Sequence, residues 1–199
     1  MTGVQTCALP ILLDQLGVAH ELLLADASED VEALEAVHAR ELPADYVQRV
    51  TALKLAAARA RLARRGLADA PILCADTTVA AGRLILGKPD DAADARRILR
   101  RLSGRSHRVL TAVAVADGQR SHQALQVSQV RFAALPDAVI ERYIASGEPF
   151  GKAGAYAIQG ALAGWISHIA GSHSGIVGLP LFETAQLLRQ AGVRMTLAT

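Results

Sequence analysis

The sequence ILCADTTVAAGRLILGKP, residues 72–89, joins an apolar segment to a charged end. Its first four residues have the length and composition of a buried β-strand. The strand ends abruptly in Asp76, Thr77 and Thr78, and Lys88 follows after a short apolar segment. A carboxylate and an ammonium group at one end of a sheet are typical of α/β enzyme sites. The alternative is a helix-capping aspartate and a surface lysine.

The segment from Gly82 to Lys88 has the glycine and lysine spacing of a phosphate-binding P-loop, but the fit is superficial. A P-loop needs Ser or Thr after its lysine to hold magnesium, and here Pro89 follows. Residues 84–86 are apolar and favour pairing as a strand. We therefore predict a hairpin over residues 79–87, from which Lys88 can reach a phosphate only as a single point charge.

The composition limits the classes of protein to which the chain can belong. With 199 residues, we expect a single domain over residues 1–199. Its 21 basic and 19 acidic residues leave a formal charge of +2, which gives no overall case for nucleic acid or an anionic membrane as partner. Cys7 and Cys74 are too few for a disulfide framework. No apolar run of about 18 residues and no secretory signal occur, so a soluble cytoplasmic protein is expected.

A long helix is predicted from Leu42 to Arg65, with Pro and Asp near its start and Gly66 as its stop. Lys54 lies on the border of the buried stripe of this helix, so its side chain either snorkels to solvent or points into a site. Four arginines lie around the helix without interleaved aromatic residues, which favours a solvated surface over a nucleic-acid patch. They are Arg59, Arg61, Arg64 and Arg65.

The remaining segments show helical and strand patterns in turn. Helices are predicted at residues 90–102, 136–146 and 180–190, and strands at 21–25, 109–116, 123–132 and 193–197. Glycines recur between residues 147 and 178, which predicts an irregular segment that lines a ligand.

Several polar side chains interrupt these apolar or tightly turning segments. They are Lys54, Asp76, Thr77, Lys88, Arg105, Glu148, Lys152 and Gln159. Lysines and an arginine beside a few carboxylates are the composition of a site for a polyphosphate and a divalent cation. The cationic side chains neutralise phosphate oxygens, while a carboxylate binds the metal or removes a proton from water. A purely basic anion site would not need Asp76 at a strand end.

Five segments occur in a fixed order along the chain: CADTTV (74–79), GKP (87–89), LSGRSHRVLTAVAV (102–115), SGEPFGKAGAYAIQG (146–160) and IVGLPL (176–181). Together they resemble the motifs of the Maf family of nucleoside triphosphate pyrophosphatases. The resemblance implies an α/β fold with a mixed twisted sheet flanked by helices around a deep central cleft. It also implies cleavage of a nucleoside triphosphate to the monophosphate and pyrophosphate with a divalent cation, Mg or Mn. AYAIQG followed by IVGLPL is similar to the branch that acts on dTTP and UTP.

The resemblance also implies roles for individual residues. Asp76 matches the catalytic acid that activates the attacking water, and Glu29 aligns with an acidic position that helps to bind the metal. Thr77 and Gln159 match positions that select the base. The remaining substrate-binding residues are cationic and are expected to contact the phosphates; they are Lys54, Lys88, Arg105 and Lys152.

The chain departs from the family pattern at two places. Gly151 stands where the family usually has an aspartate before Lys152. The family's opening S-x-S-P-R-R falls at residues 4–9, where this chain reads VQTCAL, so the phosphate-binding arginines are missing. Residues 1–11 are therefore interpreted as an atypical leader, foreign or artefactual. The alternative function is a nucleotide-binding regulator of septum formation with little turnover, and a homodimer is a possible assembly.

Overall fold

The structure is a computed structural model that describes residues 8–27, 29–30, 32–118 and 120–196. Its helices are α1 (Ala8–Gln15), α2 (Pro43–Arg64), α3 (Ala92–Leu102), α4 (Asp137–Ala145), α5 (His173–Val177) and α6 (Leu181–Gln190). Its strands are β1 (Ile72–Ala81), β2 (Leu84–Leu86), β3 (Ser106–Asp117), β4 (Arg120–Phe132) and β5 (Ile166–Ala170). Short 3₁₀ turns span Glu32–Glu35, Ala153–Ala155 and Ala161–Trp165. The α/β class predicted from the sequence is confirmed.

The strands form one sheet in the order β2-β1-β3-β4-β5. The expectation of a mixed sheet is corrected, because every pair of neighbouring strands in the described residues is antiparallel. A tight turn at Gly82, whose φ is +64°, reverses the chain between β1 and β2 without a crossover. Neither residues 21–25 nor residues 193–196 form a strand, although both segments were predicted to do so. The deep central cleft stays a prediction.

Helix α2 covers one face of the sheet. Val47 and Val50 of this helix are fully buried and pack with Ala80, Leu110 and Ala112 of the central strands. Alanine side chains on β1 and β3 let the helix approach the sheet closely. The helix therefore projects Lys54, on the border of its buried stripe, towards Asp76. Asp76 lies in the middle of β1, and the expectation that the strand ends there is wrong, because Thr77 and Thr78 continue the pairing with β3.

The opposite face of the sheet is covered by the remaining helices. Val113 and Val115 of β3 pack with Leu12 of α1 and with Leu187 and Leu188 of α6. Further along the sheet, a second hydrophobic cluster joins β1, β3 and β4 to α3 and α4. Its fully or almost fully buried members include Val79, Leu99, Val109, Phe132 and Ile140. No helix within the described ranges combines the length and apolar character needed to cross a lipid bilayer.

Capping explains why α3 begins two residues later than the sequence pattern predicted. The carboxylate of Asp91 accepts a hydrogen bond from the backbone N–H of Asp94 at 2.7 Å. Asp91 itself has extended backbone angles, so it lies outside the helix as its N-cap, and Ala92 is the first helical residue.

Candidate active site

Strand β1 places Asp76 and Thr77 on opposite faces of the sheet, because successive side chains of a strand alternate. Asp76 pairs in register with Ala112 and faces α2, whereas Thr77 pairs with Thr111 and faces the other way. Strand β2 pairs with β1 at residues 79–81. In the described part of the chain, the outer edge of β1 before Val79 therefore carries no neighbouring strand. A ligand along this open edge can contact both faces.

Four side chains of alternating charge form a continuous row, the charged cluster, made of Asp76, Lys54, Glu35 and Lys88. Nζ of Lys54 donates hydrogen bonds to Oδ1 of Asp76 at 2.6 Å and to Oε1 of Glu35 at 2.7 Å. Nζ of Lys88 donates to Oε2 of Glu35 at 2.7 Å. The exposed fraction of the side chain falls from 46% at Lys88 to 13% at Asp76. The charged cluster therefore leads from solvent to a carboxylate that is largely shielded from it.

Helix α2 also positions the backbone that carries Glu35. The hydroxyl of Tyr46 donates a hydrogen bond to the carbonyl oxygen of Glu35 at 3.0 Å. Nη2 of Arg49 donates to the next carbonyl oxygen, that of Ala36, at 2.8 Å. Both donors precede Lys54 on the same helix, so a single rigid element aligns the ammonium group and the acid that it contacts.

Burial and the neighbouring charges shift the pKa values of Asp76, Lys54 and Glu35 in the charged cluster. Burial raises the pKa of Asp76 above its usual range, and although Lys54 offsets this effect, the nearby negative charge of Glu35 adds to it. Burial opposes the charge on Lys54, but its two carboxylate neighbours outweigh burial and raise the pKa of that ammonium group. Burial also opposes ionisation of Glu35, yet its two lysine contacts lower its pKa. Asp76 is therefore the carboxyl group of the cluster best suited to accept a proton.

Glu29, the acid expected at the metal, is not brought to this cluster. Its carboxylate accepts hydrogen bonds from Arg61 at 2.9 and 2.6 Å and from Arg64 at 2.7 Å. The hydrogen bond from Arg61 is the main reason that the pKa of Glu29 falls to about 2. Arg61 lies two helical turns beyond Lys54, roughly 10 Å along the axis of α2. Glu29 therefore anchors its own segment to the far end of the helix.

Glu35 is the site residue that sequence reasoning missed. It belongs to an acidic run that also contains Glu29, Asp30 and Glu32, and spacing alone does not show which acid faces Asp76. The contact with Lys54 crosses 19 residues of chain and depends on how the turn at Glu32–Glu35 packs on α2. One signal in the sequence could have identified Glu35: it is the last acid of this run and therefore the one closest to the start of α2.

The arginines at the end of α2 hold the acidic segment instead of forming a free basic surface. Arg61 donates to the carbonyl oxygen of Leu23 at 2.9 Å, and Arg65 donates to that of Leu24 at 2.9 Å. Arg64 and Arg65 both pair with Asp26. These contacts give the arginines at the end of α2 a structural role in holding residues 23–27 and Glu29 against the helix.

Arg105 also lies away from the charged cluster. It immediately precedes β3, at the end of the strand where Arg108 pairs with Ala80. Ala112, the register partner of Asp76, lies further along β3, and at about 3.3 Å per residue the separation from Arg105 is roughly 23 Å. Because a strand is nearly straight over this length, the structure does not bring Arg105 to Asp76.

The glycine-rich segment packs on β1 through Gly154. Its φ is +70°, and a Cβ at this position would lie 2.7 Å from the side chain of Val79. The N–H of Gly154 donates to the carbonyl oxygen of Gly87 at 3.0 Å. Lys152 donates to the carbonyl oxygen of Glu148 at 2.5 Å, and Gln159 is exposed. The segment therefore lies beside the end of β2 that leads into Lys88, although no hydrogen bond among the described residues links Lys152 or Gln159 to the charged cluster.

The start of α1 approaches the other face of β1. A Cβ at Gly178, whose φ is +135°, would lie 3.9 Å from both Oγ1 of Thr77 and Cδ1 of Leu9. Residue 9 is the last position of the segment expected to carry S-x-S-P-R-R. Most of that segment, and most of the expected leader, lie outside the described residues.

The carboxylates of Asp76 and Glu35 suit a divalent cation that also binds substrate phosphates. Among the described residues, no three acidic, histidine or cysteine side chains group to form a metal cage. Asp76 and Glu35 instead offer two carboxylates bridged by Lys54. Magnesium is commonly held by one or two carboxylates together with substrate phosphates, and this pair suits that mode.

The fold and the site together define an α/β protein whose alternating carboxylates and lysines suit a polyphosphate accompanied by a divalent cation. The chain belongs to the family of Maf-like proteins, which it matches over residues 11–191. It is 66% identical over 186 residues to the dTTP/UTP pyrophosphatase of Ralstonia nicotianae, covering 92% of this chain and 89% of that protein. It is 62% identical over 184 residues to the dTTP/UTP pyrophosphatase of Polaromonas sp., covering 92% and 91% of the two chains.

Proposed function

We propose that this protein hydrolyses dTTP, UTP and related modified pyrimidine nucleoside triphosphates to the monophosphate and pyrophosphate. The proposal is supported by the names of relatives that share 66% and 62% of their aligned residues with it. The single structural observation that carries it is the half-buried Asp76 carboxylate held 2.6 Å from Nζ of Lys54. This ion pair supports the proposal because a carboxylate and an ammonium group lie together beside an open strand edge.

In the proposed reaction, Asp76 takes a proton from the attacking water. Its raised pKa makes it a stronger base than an exposed aspartate, and the adjacent Lys54 favours its ionised form. Lys54 and Lys88 are each bound to Glu35 in this structure, and each ammonium group has three donors, so both are proposed to reach phosphate oxygens as well. Lys152 is proposed to bind the same triphosphate from the other side of the open edge.

A divalent cation, Mg or Mn, is proposed to enter with the nucleotide and to be held by Asp76 and Glu35. When bound, such an ion neutralises charge on the phosphates and polarises the bond to be broken. The arginine contacts of Glu29 make Glu35 the better candidate for the second carboxylate.

Base selection is proposed to lie with Gln159 and with Thr77, which is on the face of β1 opposite Asp76. An amide offers both a donor and an acceptor, and a hydroxyl can offer either, which suits the alternating acceptors and donor of a uracil or thymine edge. If Gln159→Glu lowers turnover of every base equally, Gln159 does not read the base.

Pyrophosphate release separates this function from the nucleotide-binding regulator of septum formation, which has little turnover. A panel of UTP, dTTP, CTP, ATP and GTP is incubated with the protein and Mg or Mn, with EDTA as the control. Release from UTP and dTTP above the other nucleotides, lost in EDTA, is the expected result. Binding of nucleotides with no release of pyrophosphate would favour the regulator.

The single domain over residues 1–199 and the homodimer remain predictions.

A further inference from the structure

A buried chain of hydroxyl groups lies behind Thr77. Oγ1 of Thr77 is 2.8 Å from Oγ1 of Thr111, and Oγ1 of Thr111 donates to the carbonyl oxygen of Gly175 at 2.7 Å. Thr111 is fully buried, whereas Thr77 is half-buried beneath Gly178. Thr77 therefore has one side turned to the protein interior and one side towards the space beside Gly178.

The direction of these hydrogen bonds follows from the number of protons. A carbonyl oxygen can only accept, so the 2.7 Å contact with Gly175 needs the single hydroxyl proton of Thr111. The 2.8 Å contact with Thr77 then needs the proton of Thr77. The opposite arrangement would leave two oxygens 2.7 Å apart with no proton between them. Thr77 is thus left with free lone pairs and no free proton.

The carbonyl of Gly175 is held in place by a second polar network. The N–H of Gly175 donates to Oγ of Ser172 at 3.0 Å, and the N–H of Ser172 donates to Oγ of Ser128 at 2.9 Å. Oγ of Ser128 in turn donates to Oε1 of Gln126 at 2.9 Å. A Cβ at Gly175 would lie 2.6 Å from that same Gln126 oxygen. The acceptor that orients Thr111 is therefore rigidly positioned.

We infer that Thr111 is a specificity-determining positioning residue, which holds the hydroxyl of Thr77 as an acceptor towards the ligand. This inference rests on the proposed function, in which Thr77 contacts the base. An acceptor at this position pairs with the ring N3–H of uracil or thymine. Cytosine has an unprotonated N3, so its lone pair would face the lone pairs of Thr77. The hydroxyl chain thereby selects bases with an imide N–H and rejects cytosine.

The test compares kcat/KM for UTP and CTP in the parent protein and in Thr111→Val. Valine has nearly the same shape but neither donates nor accepts, so the Thr77 hydroxyl becomes free to turn its proton towards cytosine. The carbonyl of Gly175 keeps its hydrogen bond from the N–H of Gly178 at 3.1 Å, so it is not left unpaired. We expect the UTP:CTP preference to fall by about tenfold or more, mainly through faster CTP hydrolysis.

Two further variants control for the loss of a buried hydroxyl. Thr111→Ser retains the proton and should restore most of the preference for UTP. Thr51→Val changes another fully buried threonine, whose hydroxyl donates to the carbonyl oxygen of Val47 at 2.8 Å on α2, and should leave the ratio unchanged.

An unchanged UTP:CTP ratio in Thr111→Val, or equal losses for both nucleotides, would overturn the inference and reduce Thr111 to a packing role. If the parent protein releases no pyrophosphate at all, the proposed function fails separately. The ratio of dissociation constants for UMP and CMP then decides the inference, because it requires no turnover. A parent protein that binds both equally overturns it, and a preference for UMP that Thr111→Val removes supports it.

Discussion

Nζ of Lys54 lies 2.6 Å from Oδ1 of Asp76, whose side chain is only 13% exposed. The two residues come from different elements, the long helix α2 and the central strand β1, and 22 residues of chain separate them. Burial disfavours the ionised carboxylate, and the adjacent ammonium group favours it. The reactivity of Asp76 is therefore controlled by how closely α2 packs on the sheet.

Asp76→Asn is expected to lower turnover of the best pyrimidine triphosphate by about a hundredfold or more while the protein remains folded. The amide is nearly isosteric with the carboxylate, but it cannot accept the proton of the attacking water. Pyrophosphate release and a thermal melt measure the two effects. Asp69→Asn, which changes an exposed aspartate just before β1, is the matched control and should keep parental activity. Near-normal turnover in Asp76→Asn would show that another group is the base.

Lys54→Gln is expected to move the acidic limb of the pH profile of kcat/KM to higher pH. The reason is that removing the ammonium group leaves burial and Glu35 to raise the pKa of Asp76 further. Asp76 is active when ionised, so activity is then lost at a higher pH as the solution is acidified. Lys88→Gln is the control, since Lys88 contacts Glu35 rather than Asp76, and it should shift the limb less. Equal shifts in the two variants would contradict a specific effect of Lys54 on the pKa of Asp76.

Glu35→Gln and Glu29→Gln are expected to behave differently. Glu35 contacts both lysines of the charged cluster, so Glu35→Gln should lower kcat/KM by about tenfold or more and raise the metal concentration needed for half-maximal activity. Glu29→Gln removes the partner of Arg61 and Arg64, so it should lower the melting temperature with little change in metal dependence. The reverse pattern would restore Glu29 as the metal ligand. Metal titrations and melts of the two variants provide the comparison.

Stability is expected to fall on mild acidification because of His107. The imidazole is 3% exposed, its Nε2 lies 2.7 Å from the hydroxyl of Tyr156, and burial lowers its pKa to about 4. The unfolded chain binds a proton near pH 6.5, whereas the folded protein does not until about pH 4, so stability present above pH 6.5 is lost as the pH falls towards 4. Between pH 7.5 and pH 5 this group should cost about 2 kcal/mol of unfolding free energy.

His107→Gln provides the control for this prediction, because glutamine can still bond to Tyr156 but does not titrate. Urea unfolding at pH 7.5 and pH 5 should show a smaller pH effect in the variant than in the parent by about 2 kcal/mol. The same loss of stability in both proteins would place the titration on other groups.

Replacing residues 4–9 with Ser-Ala-Ser-Pro-Arg-Arg is expected to raise pyrophosphate release by a factor of hundreds or more. Each charge-assisted contact to a phosphate contributes roughly 1.5–3 kcal/mol, and two arginines are gained. Position 9 lies beside Gly178, which also adjoins Thr77, so the last new arginine would enter the space on that face of β1. A variant with Ser-Ala-Ser-Pro-Gln-Gln controls for the change in backbone. Equal rates in the parent and the arginine variant would mean that Lys54, Lys88 and Lys152 hold the triphosphate unaided.

Local patterns in the sequence determined much of the framework. The apolar run before Asp76, the hairpin at Gly82 and the long helix with Lys54 on its border were predicted from periodicity and turn residues, and the structure contains all three. They were predictable because the hydrogen bonds of a helix or a tight turn join residues close in sequence. The resemblance of five short segments identified the family, which the match over residues 11–191 confirmed.

Only the tertiary structure decided which polar groups meet. Glu29 and Glu35 lie in the same acidic run, but the packing of that run on α2 gives the first to Arg61 and the second to Lys54. The sequence does not distinguish Thr111 from the other residues of its strand. The register of β1 and β3 places its hydroxyl against that of Thr77. Such contacts depend on the relative placement of elements far apart in sequence, which residue spacing does not encode, and on burial, which makes each unpaired charge or hydroxyl costly.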